Sequence, residues 1–241
     1  MAANEIYQYS IVSALMDGIA STGLPVSELV KHGDQGLGTF RFMVGEMIIL
    51  DGKLYQMKSD GTVREVDTSP SSDAVAPFAM VTNFRPTTTI TAAFDDKKGL
   101  FEHLSKDFPD SKNYFLAIRI EGVFEGVTVR TAGGQKTHGE KLVDVGKNQA
   151  SHTFDKPVRG TVVGFRSPEY TQGISVAGDH LHFITADRKQ GGHVLAVGTH
   201  GNVAISAAQI SQWRVELPTN DAEFKKASLE KDAEGIAKVE G

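Results

Sequence analysis

The 241-residue chain contains no cysteine. Disulfide frameworks, thiolate zinc fingers, iron–sulfur clusters and a cysteine nucleophile are therefore excluded. Any metal bound here must be held by imidazole and oxygen donors. No run approaches the ~20 apolar residues that span a bilayer. The opening residues Met1-Ala2-Ala3-Asn4-Glu5 carry neither a basic leader nor an apolar stretch of signal-peptide length. A cytoplasmic protein with no membrane partner is the expectation. Basic charge is not in excess: 25 Lys plus Arg stand against 30 Asp plus Glu, a net charge of -5. A nucleic-acid binder held by bulk electrostatics would be strongly basic, so no nucleic-acid partner is expected. Internal repeats at solenoid or propeller periods are absent as well. What is present is an ordinary globular composition, 40% hydrophobic and 23% charged, with eight histidines. The length suits one large domain or two tightly joined smaller ones with a sizeable core.

Periodicity divides the chain into short elements. Ser10 is a plausible N-cap for a helix with Ile11, Ala14 and Leu15 on one face. A second short helix is expected over 26–31, stopped by Gly33. Strand patterns follow. Phe40, Phe42 and Val44 alternate with Thr39, Arg41 and Met43. Asp51-Gly52 separates two apolar runs, 47–50 and 54–57, and predicts a hairpin. Strands are expected over 78–84 and 87–94, a helix over 95–108 ended by Pro109, and a long alternating strand over 114–124 continued by Val127 and Val129. From Gly160 to Leu217 the pattern is almost entirely strand, and the charged tail beyond Asn220 is helix-prone. The expected fold is mixed α+β (α/β), with two β-rich halves of mixed or antiparallel sheet: 1–95 and 96–241. The helical segment 95–113 divides them.

The chemistry concentrates in Gly178-Asp179-His180-Leu181-His182-Phe183-Ile184. In a strand, two-residue spacing puts His180 and His182 on one face and Leu181 and Phe183 on the other, toward a core. A hairpin with the loop Ala186-Asp187-Arg188-Lys189 pairs residue 185 with 190 and sets His182 directly opposite His193. Opposed Cβ atoms lie ~5 Å apart and diagonal ones ~7–8 Å, so three imidazoles could converge on one ion. Three protein ligands with an open position suit a catalytic zinc rather than a closed structural one. The bland alternative is a solvated polar strand face. A rival metal reading, a cupin-like oxygenase or isomerase, needs a Glu soon after His-x-His and a later Pro-x-Gly; neither is present. A non-catalytic metal-binding module is the third reading.

These residues, with Gly191-Gly192-His193-Val194-Leu195, closely resemble the signature of bacterial alpha-acetolactate decarboxylases. Further segments are similar to that family in the same order: Tyr7-Gln8-Tyr9-Ser10, His32-Gly33-Asp34, Gly36-Leu37-Gly38-Thr39-Phe40, Gly45-Glu46-Met47-Ile48, Arg130-Thr131 with Gln135, and Gly160-Thr161-Val162-Val163-Gly164-Phe165. The resemblance runs from about Ile6 to the C-terminus. It implies a cytoplasmic carboxy-lyase, commonly a homodimer, that uses a divalent metal, usually zinc (Zn2+), to make acetoin and CO2 from 2-acetolactate. Its partner is then a small 2-hydroxy-3-oxo acid. Carried over by motif, His180, His182 and His193 are metal ligands. Glu46 is the carboxylate beside the metal, Arg130 the active-site arginine, and Thr39 a threonine near the site. Glu240 is the best match to a glutamate that the family brings from its tail. The chain departs from the family at Ala132-Gly133 (usually Val-Pro), Asp179 (often Tyr) and Ala196-Val197 (usually Asp-Tyr), none of which removes a ligand.

The resemblance suits the chemistry. Decarboxylation needs an electron sink, and acetolactate carries a ketone β to its carboxylate that a Lewis acid can activate. Arg130 can clamp the carboxylate through two parallel bonds, and Glu46 can hold or transfer a proton at the hydroxyl. With Glu46 drawn from the first half and the histidines and Arg130 from the second, the site is expected where the halves meet.

Overall fold

Two seven-stranded sheets carry most of the chain in this computed structural model, which describes residues 2–229 and 235–236. The first sheet contains β1 (Glu5–Tyr9), β3 (Gln35–Thr39), β4 (Glu46–Leu50), β5 (Lys53–Met57), β6 (Val63–Glu65), β8 (Phe78–Thr82) and β16 (Gln212–Glu216). The second contains β9 (Thr88–Ala92), β10 (Phe115–Thr131), β11 (Ala150–Thr153), β12 (Val158–Ser167), β13 (Gly178–Thr185), β14 (Gly191–Thr199) and β15 (Val203–Ile210). A two-residue ribbon joins β2 (Leu24–Pro25) to β7 (Val75–Ala76). The fold is mixed α+β and mostly strand. Strand β9 lies in the second sheet, and β16 returns to the first beside β1, in parallel. Each sheet therefore draws strands from both sides of residue 95.

Strand β10 organises the second sheet. Its first part pairs with β12 and β15, and its last part with β14 and β11. Because β13 bridges β12 and β14, the strands β10, β14, β13 and β12 close into a ring. Alternation along β10 explains how a continuous strand serves two cores. Phe115 and Ala117 join Leu37, Phe78, Met80 and Phe165 between the sheets, whereas Leu116, Ile118 and Ile120 face a second core capped by Leu100 and Leu104. Those two leucines belong to α3 (Lys97–Asp107), the long helix of the described chain, after α1 (Val12–Met16) and α2 (Val26–Leu29). Asp96 caps α3 by accepting the Gly99 N–H at 2.8 Å. The hairpin at Asp51-Gly52 forms as expected, both residues taking the positive φ (54° and 76°) of a two-residue turn.

The expected strand through 40–44 does not form. Phe42 and Met43 adopt left-handed φ of 59° and 56°, kinking the chain sharply at 41–43. Gln135 N–H donates to Phe42 O, and Gly45 N–H to Ala132 O. Tertiary bonds thus override an alternating pattern that reads locally as β.

Candidate active site

The register places the site across three neighbouring strands. Arg130 of β10 pairs with His193 of β14, and His193 pairs with His182 of β13. The hairpin between β13 and β14 has the expected pairing, closed by Thr185 N–H donating to Gln190 O at 2.9 Å. His180 sits two residues before His182, on the same face. The three rings stand 5.0–5.4 Å apart between centroids. Each offers one nitrogen within 4.8 Å of the others.

The face carrying them is not solvated. His180, His182 and His193 are 5%, 0% and 1% exposed. The next residue on that face, Ile184, packs on Ile48, Met57 and Val163 between the sheets, while Leu181 and Phe183 fill the second core. Both faces of β13 are buried, and the polar one abuts the first sheet. This rules out the solvated polar face. Polar groups are costly to bury without a purpose or a partner, so three imidazoles facing one point need an explanation.

The first sheet supplies it in part. Met47 O accepts the His182 Nδ1–H at 2.7 Å. A carbonyl only accepts, so Nδ1 carries the proton and Nε2 is left with its lone pair facing the cluster. No hydrogen bond engages that Nε2 among the described residues. Burial holds His182 down to about 4, the Met47 bond opposing and the Arg130 charge assisting; burial likewise lowers His180 and His193. Three neutral, buried imidazoles with converging nitrogens are a donor set that fits a divalent ion such as zinc.

Glu46 opens β4, and its Oε2 lies 3.7 Å from His182 Nε2. Its Oε1 accepts the Ala132 N–H at 3.2 Å. Burial raises the carboxyl to about 7, against the lowering pull of Arg130 and the Ala132 N–H. The residue before it is Gly45 at φ 84°, where a Cβ would meet Met57 O at 2.4 Å. Glycine is needed there for Glu46 to turn inward. Thr39 pairs with Glu46 across β3 and β4 and donates its hydroxyl to Gly45 O.

A cavity of about 30 Å³ adjoins the histidines. Thr39, Glu46, Arg130 and His180 line it, with Gln149 and an apolar wall of Val12, Leu15, Met43, Phe78, Ala132, Leu142 and Val176. Val176 also borders a groove of about 1210 Å³ lined by Lys97, Phe101, Arg166 and Asp179. Arg166 and Asp179 form a paired fork (2.7 and 3.2 Å), which accounts for the aspartate. The structure thus gathers Thr39, Glu46, Arg130 and all three histidines. Glu240 lies outside the described residues. His32, His103, His138, His152 and His200 are engaged elsewhere: on Tyr7, Ala93 O, Glu223, Phe154 and Glu125. Gln149 was not anticipated, since it stands in no motif.

The fold and the buried cluster define a mixed α+β protein with a histidine site suited to a metal ion. The family model described as alpha-acetolactate decarboxylase matches residues 6–231. The alpha-acetolactate decarboxylase of Methylococcus capsulatus is 40% identical over 89% of this chain and 80% of its own length. That of Bacillus subtilis strain 168 is 37% identical over 99% and 91%. The crystal structure of alpha-acetolactate decarboxylase from the same strain superposes with a TM-score of 0.91, covering 98% of this chain and 99% of that one. A Staphylococcus aureus protein described as similar to alpha-acetolactate decarboxylase superposes at 0.90 with 30% identity over 98% and 100%. The chain belongs to the alpha-acetolactate decarboxylase family. The resemblance read from the motifs is confirmed, and with it the class of enzyme, a carboxy-lyase.

Proposed function

We propose that this chain converts 2-acetolactate to acetoin and CO2 in the cavity between its two sheets, using a divalent metal, zinc or a similar ion, held by His180, His182 and His193. The observation that carries the reading is the convergence of three buried neutral imidazoles beside Glu46 and Arg130 on one small cavity. When bound, the ion supplies Lewis acidity at the substrate's adjacent ketone and hydroxyl oxygens.

The chain's own residues do the rest. Arg130 holds the departing carboxylate through its planar fork. The apolar wall keeps water away, which strengthens this contact and favours loss of the charged group as neutral CO2. As the bond to the carboxyl carbon breaks, its electron pair passes to the neighbouring carbonyl. Burial pushes the Glu46 carboxyl up to about 7 in the metal-free chain, which marks it as the group beside the histidines suited to holding or giving a proton. It manages the proton at the hydroxyl, and Thr39 fixes its turn. Glu240 is proposed as a further carboxylate reaching the site from the tail. The reading includes a homodimer acting in the cytoplasm, as the family implies. The net charge of -5 supports the absence of a nucleic-acid partner. Among the described residues no helix is long and apolar enough to cross a membrane.

Incubating the zinc-loaded protein with racemic acetolactate and following acetoin tests the reading. Acetoin well above the spontaneous rate is expected. A spontaneous rate only refutes it, and oxygen uptake with acetolactate inert points to the oxygenase class instead.

A further inference from the structure

Among the polar groups on the cavity wall, Gln149 stands apart. Thr39 has given its hydroxyl proton to Gly45 O, and Glu46 already accepts from Ala132. The Gln149 side chain lines the same cavity, yet no hydrogen bond engages its amide among the described residues. An amide has two donors and an acceptor, and this partly buried one borders the cavity. Its position is fixed by the backbone. Gln149 lies between α4 (Leu142–Gly146) and β11, its N–H donating to Gly146 O. Strand β11 pairs Ala150 with Thr131 and Ser151 with Arg130. Gln149, the residue just before β11, is therefore held close to the end of the ladder that contains Arg130.

We propose that Gln149 is a substrate-binding, specificity-determining residue, whose Nε2–H donates to an oxygen of the substrate's carboxylate alongside Arg130. The inference rests on the decarboxylase reading for its ligand. The substrate's carboxylate and ketone only accept hydrogen bonds, and Arg130 is the cationic side chain on the same wall. A second, neutral donor orients the carboxylate without adding charge that would hold it back as it leaves. A site built to bond a polar substrate group also rejects analogues that lack it, because the amide is then left unpaired.

The test uses 2,3-dihydroxy-2-methylbutanoate, which keeps the carboxylate and hydroxyl of acetolactate but has no ketone to accept electrons. It is titrated by calorimetry into zinc-loaded wild type, Gln149→Leu and Gln149→Glu. Turnover of acetolactate, zinc content and thermal midpoint are measured on the same samples. Gln149→Leu is expected to weaken binding and lower kcat/KM about 10- to 100-fold, the range for one hydrogen bond to a charged group. Gln149→Glu, nearly isosteric but without the donor and negatively charged, is expected to lose at least as much. Zinc content and thermal midpoint should not move. Wild-type affinity in the Leu variant overturns the proposal. Wild-type affinity in the Glu variant overturns the donor assignment. Loss of zinc or of thermal stability in step with affinity overturns it in favour of a structural role. A wild type that binds the analogue yet releases no acetoin refutes the decarboxylase reading instead, leaving Gln149 to be decided by the binding ratio.

Discussion

Glu46 and His182 face each other in a buried site, and their linkage to folding runs in opposite directions. In the metal-free chain Glu46 titrates at about 7 against 4.5 for an ordinary carboxyl. Its contribution to stability is fully present below pH 4.5 and is lost as pH rises through about 7. His182 titrates at about 4 against 6.5. Its contribution is present above pH 6.5 and is lost as pH falls through about 4. Integrating each shift between pH 7 and pH 5, Glu46 adds about 2 kcal/mol and His182 removes about 2 kcal/mol. The two nearly offset. Replacing Glu46 by Gln removes one side only. Relative to wild type, Glu46→Gln is then expected to lose about 2 kcal/mol more on going from pH 7 to pH 5. His180 and His193, lowered by burial in the same sense as His182, make both proteins acid-sensitive and cancel from the comparison. Urea denaturation of chelator-treated wild type and Glu46→Gln at the two pH values reads the difference directly. Parallel pH dependence in the two proteins would refute the raised carboxyl and with it the proton-handling role of Glu46.

Two further outcomes follow from the same geometry. Arg130→Lys keeps the charge but loses the planar fork, so kcat/KM on acetolactate should fall about 100-fold with zinc content unchanged; an unchanged efficiency argues against carboxylate clamping. Gly45→Ala places a side chain at φ 84° with its Cβ 2.4 Å from Met57 O. It should destabilise the chain by at least about 2 kcal/mol and lower activity through displaced Glu46, as followed by urea unfolding and acetoin release; wild-type stability would show that the turn has other freedom.

The site was more legible in the sequence than its surroundings. His180, His182 and His193 could be brought together from two rules, strand alternation and hairpin pairing, because both are local. The Asp51-Gly52 turn was legible for the same reason. What alternation cannot tell is whether a polar strand face meets water or another sheet. The burial of the histidine face comes from β4 packing onto β13, a contact between residues more than 130 apart, as in the Met47–His182 bond. The 41–43 turn failed as a strand because Phe42 bonds to Gln135 and the following Gly45 to Ala132, both far along the chain. The return of β16 to β1 leaves no local signal either. Glu46, Arg130 and Thr39 could be singled out only by resemblance, since each is unremarkable in its own segment. Gln149 belongs to no motif and is visible only once the cavity is closed around it.

The central claim is that the three buried histidines hold the metal on which the activity depends. Elemental analysis of equally loaded wild type, His180→Ala and His193→Ala tests it most directly. The account predicts about one zinc per wild-type chain and loss of bound zinc in both variants. Full retention of zinc by both variants would contradict it.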